Sequence, residues 1–168
     1  PTARENPVFW SPSDAFPVGR PRSTYEPLDL PVNVGGVVDL VGYDLQTPTV
    51  EPGGELVLLT VWRVQDTARR AQAGLLALEL VAFTHAVGPD GRVVGQMDRL
   101  DVPSWHWQPG DAFVQLHRFP IETDLSPGRY SLEVGFYTRE ESKRVPIIVG
   151  DATIDDRVLL RPLEVTGH

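Results

Sequence analysis

Residues 75–98 read LLALELVAFTHAVGPDGRVVGQMD, and this stretch decides the fold. It predicts two long strands that fold back on each other at Gly88–Gly91, the sequence GPDG. Proline suits the first central position of a type I turn, aspartate the second, and glycine the left-handed residue that follows. Hardly any side chain from Leu75 to Val87 is polar, and a strand this apolar is normally covered on both faces. The stretch therefore predicts the middle of a sheet.

Further strands are predicted on both sides of this hairpin. They lie at Val37–Tyr43, Glu55–Val64, Ala112–Ile121, Tyr130–Phe136, Val145–Val149 and Val158–Val165, with a polar connection at Asp66–Ala73 and an acidic turn at Asp151–Asp156. In the strand from Tyr130 to Phe136, alternate residues are large and apolar, so one face is expected to be buried. In Leu56–Val64, apolar residues occupy both odd and even positions, so the sequence does not show which face of this strand is buried.

Turn residues and the lack of a helical period define the fold class. A Pro-Gly pair comes directly before a strand at Pro52, Pro109 and Pro127, and each pair is typical of a type II turn. The sequence before Tyr130 fits a tyrosine corner. We predict an all-β fold: a single immunoglobulin-like antiparallel β-sandwich at residues 35–168, preceded by an irregular arm or linker at residues 1–34.

Composition excludes several functions. The chain has 168 residues, a formal net charge of −8, a pI near 4.9 and no cysteine. Nucleic acid affinity comes mostly from cations that neutralise phosphates, so DNA and RNA are not expected partners. Disulfides and thiolate chemistry are excluded. The apolar runs are shorter than the roughly 20 residues that cross a bilayer, so we expect no membrane insertion. Without an initiator Met or a signal peptide, we expect a piece of a longer protein.

An ordered set of short motifs covers residues 33–165. They are Val34–Gly36, Leu40–Leu45, Glu51–Gly53, Trp62, Phe83–His85, Pro89–Val94, Trp107–Gly110, Leu125–Tyr130, Leu132–Gly135 and Asp155–Leu160. In this order and spacing they resemble the extracytoplasmic C-terminal β-sandwich domain of bacterial multi-pass glycosyltransferases similar to protein mannosyltransferases. The resemblance implies a domain in the cell envelope, on the outer side of a membrane and attached to a membrane protein. It also implies that the domain carries no catalytic residues of its own.

The loop Asp101–Asp111 holds the best candidate for a ligand site. Indole rings stack on the apolar faces of sugars, while Asp, Gln and His side chains hydrogen-bond sugar hydroxyls. The candidate ligand-binding residues are therefore Trp105, His106, Trp107, Gln108 and Asp101. The alternative for Trp107 is that it closes the end of the sandwich above Pro109, which leaves Trp105 as the better ligand candidate.

Other chemistry is weakly represented. His85 lies between apolar neighbours, as expected of a satisfied core or edge histidine. The four histidines form no close-spaced pair, so we expect no zinc site, and no Gly-x-Ser-x-Gly nucleophile motif occurs. Two carboxylate pairs, Asp98 with Asp101 and Asp155 with Asp156, lie in turn-like stretches where Asp is common. A calcium site at Asp151, Asp155 and Asp156 would lack the EF-hand ligand pattern. We predict no catalytic residue, metal or cofactor.

These features predict a non-catalytic accessory domain that binds or positions a glycan, or a glycosylated acceptor, for a membrane glycosyltransferase. The alternative is a purely structural protein–protein interaction module of an envelope protein. Such a module would contact loops of a membrane protein, or a second copy of the chain in a homodimer, through its edge strands and the aromatic arm. The aromatic arm is the arm at residues 1–34, which carries Phe9, Trp10, Phe16 and Tyr25.

Overall fold

The computed structural model describes residues 28–65 and 78–167. Within them lie thirteen strands and one turn of 3-10 helix at Ser104–His106. The strands are β1 (Val32–Val34), β2 (Val38–Leu45), β3 (Thr49–Val50), β4 (Glu55–Val64), β5 (Leu80–Val87), β6 (Val93–Asp98), β7 (Ala112–Pro120), β8 (Gly128–Thr138), β9 (Lys143–Arg144), β10 (Ile147–Val149), β11 (Ala152–Asp155), β12 (Val158–Leu159) and β13 (Leu163–Val165). Three predictions lie outside the described residues: the arm up to residue 27, the connection Asp66–Ala73 and the strand start at residues 75–77.

The strands form two sheets that pack as a sandwich. The first sheet has the order β11-β10-β1-β2-β4-β7, and the second has the order β3-β13-β8-β5-β6, with β12 and β9 pairing with the same strand β8. The pairs are antiparallel except for β13 with β3. The predicted all-β sandwich is therefore confirmed, and β5 lies between β8 and β6, inside its sheet as expected. In the described parts of the chain, no helix combines the length and the apolar character that crossing a membrane requires.

The central hairpin forms as the sequence predicts. The amide of Gly91 donates to the carbonyl of Gly88 at 2.9 Å, and Gly91 has a φ of 80°. The Arg92 amide donates to Asp90 Oδ1 at 3.0 Å, which fixes the turn from inside. The Gly88 amide donates to the carbonyl of Arg92 at 2.8 Å, and a register shift between Ala86 and Val87 marks a separate bulge at Val94.

Two of the three Pro-Gly pairs form the predicted type II turn. Gly53 and Gly110 have φ values of 79° and 86°, and the residue after each glycine donates its amide back across the turn, to Glu51 and Gln108. The prediction at Pro127 is wrong, because Gly128 has a φ of 155° and already pairs with Val165 as the first residue of β8. The tyrosine corner is confirmed, since Tyr130 Oη donates to the carbonyl of Ser126 at 2.9 Å.

Several strand boundaries differ from the prediction. The range of β4 agrees exactly with the predicted strand. The predicted strand Val158–Val165 is instead two strands, because Pro162 has no amide to donate between them. The predicted acidic turn Asp151–Asp156 contains β11, which is exposed at all four positions and so has no apolar alternation to reveal it. Strand β1 lies in the last residues of the predicted arm, and the domain boundary itself stays a prediction.

The core lies between the two sheets and is mostly apolar. In β8, the face with Tyr130, Leu132, Val134 and Phe136 is buried as predicted. In β4, Trp62 faces inward, where its ring meets that of Phe136 edge-on at 4.8 Å between centroids. An aromatic pair in this geometry stabilises the fold by more than the burial of its apolar surface alone. The first sheet thereby packs on the second through large side chains of β4 and β8.

A polar bridge crosses this apolar core. His117 on β7 is 1% exposed, and its Nε2 lies 2.8 Å from Thr60 Oγ1 while its Nδ1 lies 2.7 Å from Thr84 Oγ1. Trp62 Nε1 donates to the same Thr60 hydroxyl at 2.7 Å. Burial lowers the pKa of His117 to about 3, and the charge of Arg99 contributes in the same direction. The ring is therefore neutral at physiological pH, and its two nitrogens are both satisfied by hydroxyl groups.

Candidate functional site

The loop between β6 and β7 is held to the sandwich at its helical turn. Ser104 begins the turn and is fully buried, and its hydroxyl accepts a hydrogen bond from the Leu80 amide at 3.1 Å. The amides of His106 and Trp107 donate to the carbonyls of Pro103 and Ser104 at 3.0 and 3.3 Å. The Ser104 bond thus fixes the loop to the first residue of β5, and the two backbone bonds hold the turn itself together. A loop held in this way loses little conformational entropy when a ligand binds to it.

Trp107 is part of this support. Its side chain is 4% exposed, and its ring packs against Phe113 at 5.1 Å and edge-on against Phe136 at 5.8 Å between centroids. Its indole N–H donates to the carbonyl of Val102 at 2.9 Å. This placement favours the alternative, in which Trp107 closes the end of the sandwich, over the prediction of Trp107 as a ligand residue. Burial of the large ring explains this outcome.

Asp101 anchors the start of the loop. The Asp101 amide donates to Gln115 Oε1 and its carboxylate accepts from Gln115 Nε2, both at 2.9 Å. Arg99 Nε lies 2.7 Å from the other carboxylate oxygen of Asp101. Asp101 therefore positions the loop, and its contact with Arg99 remains partly open to solvent. Gln115 and Arg99 were not predicted. The sequence signal for Gln115 was its position between Phe113 and His117 on the inward face of β7, where a polar residue is unusual.

Trp105 is the side chain that this support presents to solvent. It is 58% exposed, whereas the other described tryptophans, Trp62 and Trp107, are 1% and 4% exposed. The Trp105 and His106 rings meet edge-on at 6.0 Å between centroids. Gln108 is also exposed, and its amide donates to Asp111 Oδ2 at 2.8 Å. The structure thus places the exposed indole of Trp105 beside His106, and Gln108 is exposed three residues further along the same loop.

The other candidate groups are engaged in local contacts. His85 Nε2 lies 3.1 Å from Asp98 Oδ1, in agreement with a satisfied histidine. In the two carboxylate pairs, Asp98 contacts His85 while Asp101 contacts Arg99, and Asp155 and Asp156 lie 3.8 and 3.2 Å from Arg157 and Arg144. Among residues 28–65 and 78–167, no three His, Asp or Glu side chains are placed to hold a metal ion. The calcium hypothesis for Asp151, Asp155 and Asp156 is therefore not supported by their positions.

A groove of about 520 Å³ lies away from this loop, between β1, β10 and β11 of the first sheet and β12 of the second. Three exposed apolar side chains line it: Val149, Ile154 and Leu159, which are 60%, 61% and 53% exposed. Leu28 and Val32 extend its apolar wall, and Asp155 and Arg157 lie at the polar side. Exposed apolar side chains that line one groove are typical of contact surfaces.

The fold and the loop define an all-β sandwich domain with an exposed aromatic platform. Among solved structures, the chain is similar to the C-terminal domain of Wzt, with a TM-score of 0.55 and 16% sequence identity. The match covers 88% of this chain and 83% of that chain. No protein-family model and no curated protein matches the sequence. The likeness shows the sandwich fold.

Proposed function

We propose that this domain is a non-catalytic, carbohydrate-binding accessory domain, with Trp105 as the surface on which a sugar ring stacks. The observation that carries this proposal is the contrast between the two tryptophans of the loop. Trp107 is buried and fixes the loop, while Trp105 is 58% exposed two residues away. A large apolar ring held open to solvent on a fixed backbone offers a flat surface whose burial by a ligand would be favourable.

The groups around Trp105 supply the polar half of sugar recognition. His106 and Gln108 are exposed and can exchange hydrogen bonds with hydroxyl groups. Asp101 and Arg99 are 39% and 65% exposed at their side chains and lie at the start of the same loop. A flat indole beside a few oriented polar groups fits an apolar sugar face and the hydroxyls at its rim. We propose that Trp105 gives affinity and that the polar groups give selectivity.

Binding to a glycan array, followed by titration calorimetry with the oligosaccharides that bind, tests this function. We expect Trp105→Ala to weaken binding by at least about tenfold, since an aromatic contact contributes on the order of 1 kcal/mol or more beyond its area. Leu159→Ala, which removes an exposed apolar side chain elsewhere, is the matched control and should bind as the wild type does. Equal affinity of Trp105→Ala and wild type for every bound glycan would reject the proposal.

We further propose that the domain lies on the outer side of a membrane, attached to a glycosyltransferase whose glycan or acceptor it positions. The ordered motifs from Val34 to Leu160 support this proposal. Protease treatment of cells that produce the whole gene product is the test. The domain should be cut in spheroplasts with an intact inner membrane. Protection there, with cutting only after lysis, would contradict an extracytoplasmic location.

A second candidate function, contact with another copy of the chain, is favoured by the groove beside β11. Val149, Ile154 and Leu159 line it, and β11 is the end strand of the first sheet among the described residues. If two β11 strands pair antiparallel with Ile154 opposite its own copy, Asp151 lies opposite the partner's Arg157. The apolar side chains and the opposite charges would then match across a two-fold axis.

Sedimentation equilibrium distinguishes this second candidate from the first. We expect concentration-dependent dimers that Ile154→Lys abolishes, while Val93→Lys, at an exposed valine on β6, leaves them unchanged. Truncation of residues 1–27 tests the contribution of the aromatic arm without removing β1. A wild type that stays monomeric at all concentrations would exclude the homodimer.

A further inference from the structure

A half-buried polar cluster lies on the outer face of the second sheet, away from the core. Leu80, Ala82 and Ala86 of β5 belong to the core, so the alternate residues Val81, Phe83 and His85 point outward. Phe83 is nevertheless only 1% exposed. The guanidinium of Arg144 lies 4.5 Å above its ring, and Arg144 pairs with Asp156 at 3.2 Å. On this outer face, Phe83 is therefore covered by Arg144, which is itself held by Asp156, and the ring is not open to solvent.

Phe83 can lie flat on the sheet because its neighbour on β8 is a glycine. Gly135 is directly opposite Phe83, and a Cβ at Gly135 would come within 2.7 Å of two ring atoms. The rings of His85 and Tyr137 lie 4.9 and 6.4 Å from that of Phe83. The packed ring thus forms a floor that holds two polar aromatic side chains in place around it.

Asp98 joins these two side chains. Its Oδ1 lies 3.1 Å from His85 Nε2, and the side chains of His85 and Asp98 are 14% and 30% exposed. Burial raises the pKa of Tyr137, and the neighbouring Asp98 carboxylate raises it further. Because a carboxylate only accepts, Nε2 of His85 is the donor in its contact with Asp98.

A row of hydrogen-bonding side chains crosses three strands at His85. Gln96 of β6 is opposite His85 on one side, and Glu133 of β8 is opposite it on the other. Side chains directly opposite each other in antiparallel strands are about 4.5–5.5 Å apart at Cβ. Glu133 is 8% exposed, and Arg157 Nε lies 3.6 Å from its carboxylate. Side chains with amide, imidazole and carboxylate groups therefore lie next to one another across the three strands, with the Glu133 carboxylate held by Arg157.

We infer that the surface formed by His85, Asp98, Tyr137, Gln96 and Glu133 is a second subsite for neutral carbohydrate, so that the domain binds an oligosaccharide chain and not one terminal sugar. This inference rests on the proposed function, because Trp105 supplies the first subsite. The chain continuity supports it: Asp98 ends β6, and the Arg99–Asp101 contact of 2.7 Å opens the Trp105 loop. Along β5, His85 lies five residues from Leu80, which holds the loop, or roughly 16 Å at the usual rise per residue. An oligosaccharide of a few residues spans that distance.

Calorimetric titration with malto-, cello- and manno-oligosaccharides, from monosaccharide to hexasaccharide, and with the glycans bound on an array tests the inference. In the wild type we expect affinity to rise with chain length. His85→Ala and Asp98→Asn should remove that rise, with at least about a tenfold loss for the longest ligand, and should leave the shortest ligand unaffected. Asp44→Asn, at an exposed aspartate on the first sheet, is the control for Asp98→Asn. The imidazole NMR signals of His85 should shift only with the long ligands.

The outcomes separate the two proposals. If no saccharide binds, both are rejected. If binding depends on Trp105 while His85→Ala and Asp98→Asn keep the wild-type length dependence, and the His85 signals do not move, the second subsite alone is rejected. Thermal unfolding of each variant shows whether a loss of affinity comes from a loss of the fold.

Discussion

Thr84 Oγ1 and His117 Nδ1 lie 2.7 Å apart in the middle of the core, and this hydrogen bond joins the two sheets. Thr84 belongs to β5 of the second sheet and His117 to β7 of the first. Both side chains are at most 1% exposed, so neither can replace the bond with water. A buried polar group without a partner loses its hydration and gains nothing in return. This hydrogen bond therefore helps to fix the position of one sheet relative to the other.

Replacing the Thr84 hydroxyl is expected to destabilise the sandwich. Thr84→Val keeps the shape of the side chain but leaves His117 Nδ1 unsatisfied, which costs about 1–3 kcal/mol of unfolding free energy. Thr84→Ser keeps the hydroxyl and should lose less than Thr84→Val. Urea unfolding monitored by tryptophan fluorescence measures both. A Thr84→Val variant as stable as the wild type would mean that the bond contributes nothing.

The buried histidine also predicts how stability depends on pH. Because the pKa of His117 falls to about 3 in the folded state, the unfolded chain binds the proton first, at a pKa near 6.5. The contribution to stability is complete above the unfolded pKa and is lost as pH falls towards the folded value. At about pH 4 we expect a loss on the order of 3 kcal/mol from this group.

Unfolding measured between about pH 4 and pH 7 in the wild type and in His117→Gln checks this expectation. The variant should be less stable at neutral pH and should lose most of the slope in this window. His106→Gln, at an exposed histidine, should retain the slope. A slope that survives in His117→Gln would assign the pH dependence to other groups.

The central hairpin was predictable from sequence because its signals are local. The turn Gly88–Gly91 depends on the dihedral preferences of its own residues, and β4 and β8 show long apolar stretches bounded by Pro and Gly. Strand β11 was not predictable, because all four of its side chains are exposed and only its pairing with β10 makes it a strand. The prediction at Gly128 failed since pairing with β13 extends the backbone there.

The candidate site was predictable in part. An aromatic loop was visible in the sequence, and the preference for Trp105 over Trp107 agrees with their exposures. The cluster around Asp98 was not visible, because it depends on the register that sets His85 beside Gln96 and Glu133. Single-sequence patterns show which residues alternate along a strand, but they do not show which strand lies beside it or how the two are aligned.

The two loop tryptophans are expected to differ in their effect on stability. Trp107→Ala removes a buried ring and should cost about 3–5 kcal/mol, as large-to-small core changes do. Trp105→Ala removes an exposed ring and should change the unfolding free energy by no more than about 0.5 kcal/mol. Thermal and urea unfolding of the two variants measure the difference. A marked destabilisation by Trp105→Ala would show that its ring supports the loop, and would weaken its assignment as a binding surface.

A methyl group at Gly135 tests the packing of Phe83 on the outer face. The new Cβ would come within 2.7 Å of the ring, closer than carbon atoms approach, so the ring must move. We expect Gly135→Ala to destabilise the fold by about 1–3 kcal/mol, as overpacked sites do. Because the clash is with one side chain, Phe83→Leu combined with Gly135→Ala should restore part of the loss, and a double-mutant cycle measures this coupling. If the two changes are simply additive, the strain in Gly135→Ala comes from the strand backbone and not from the ring, and Phe83 is not what positions His85 and Tyr137.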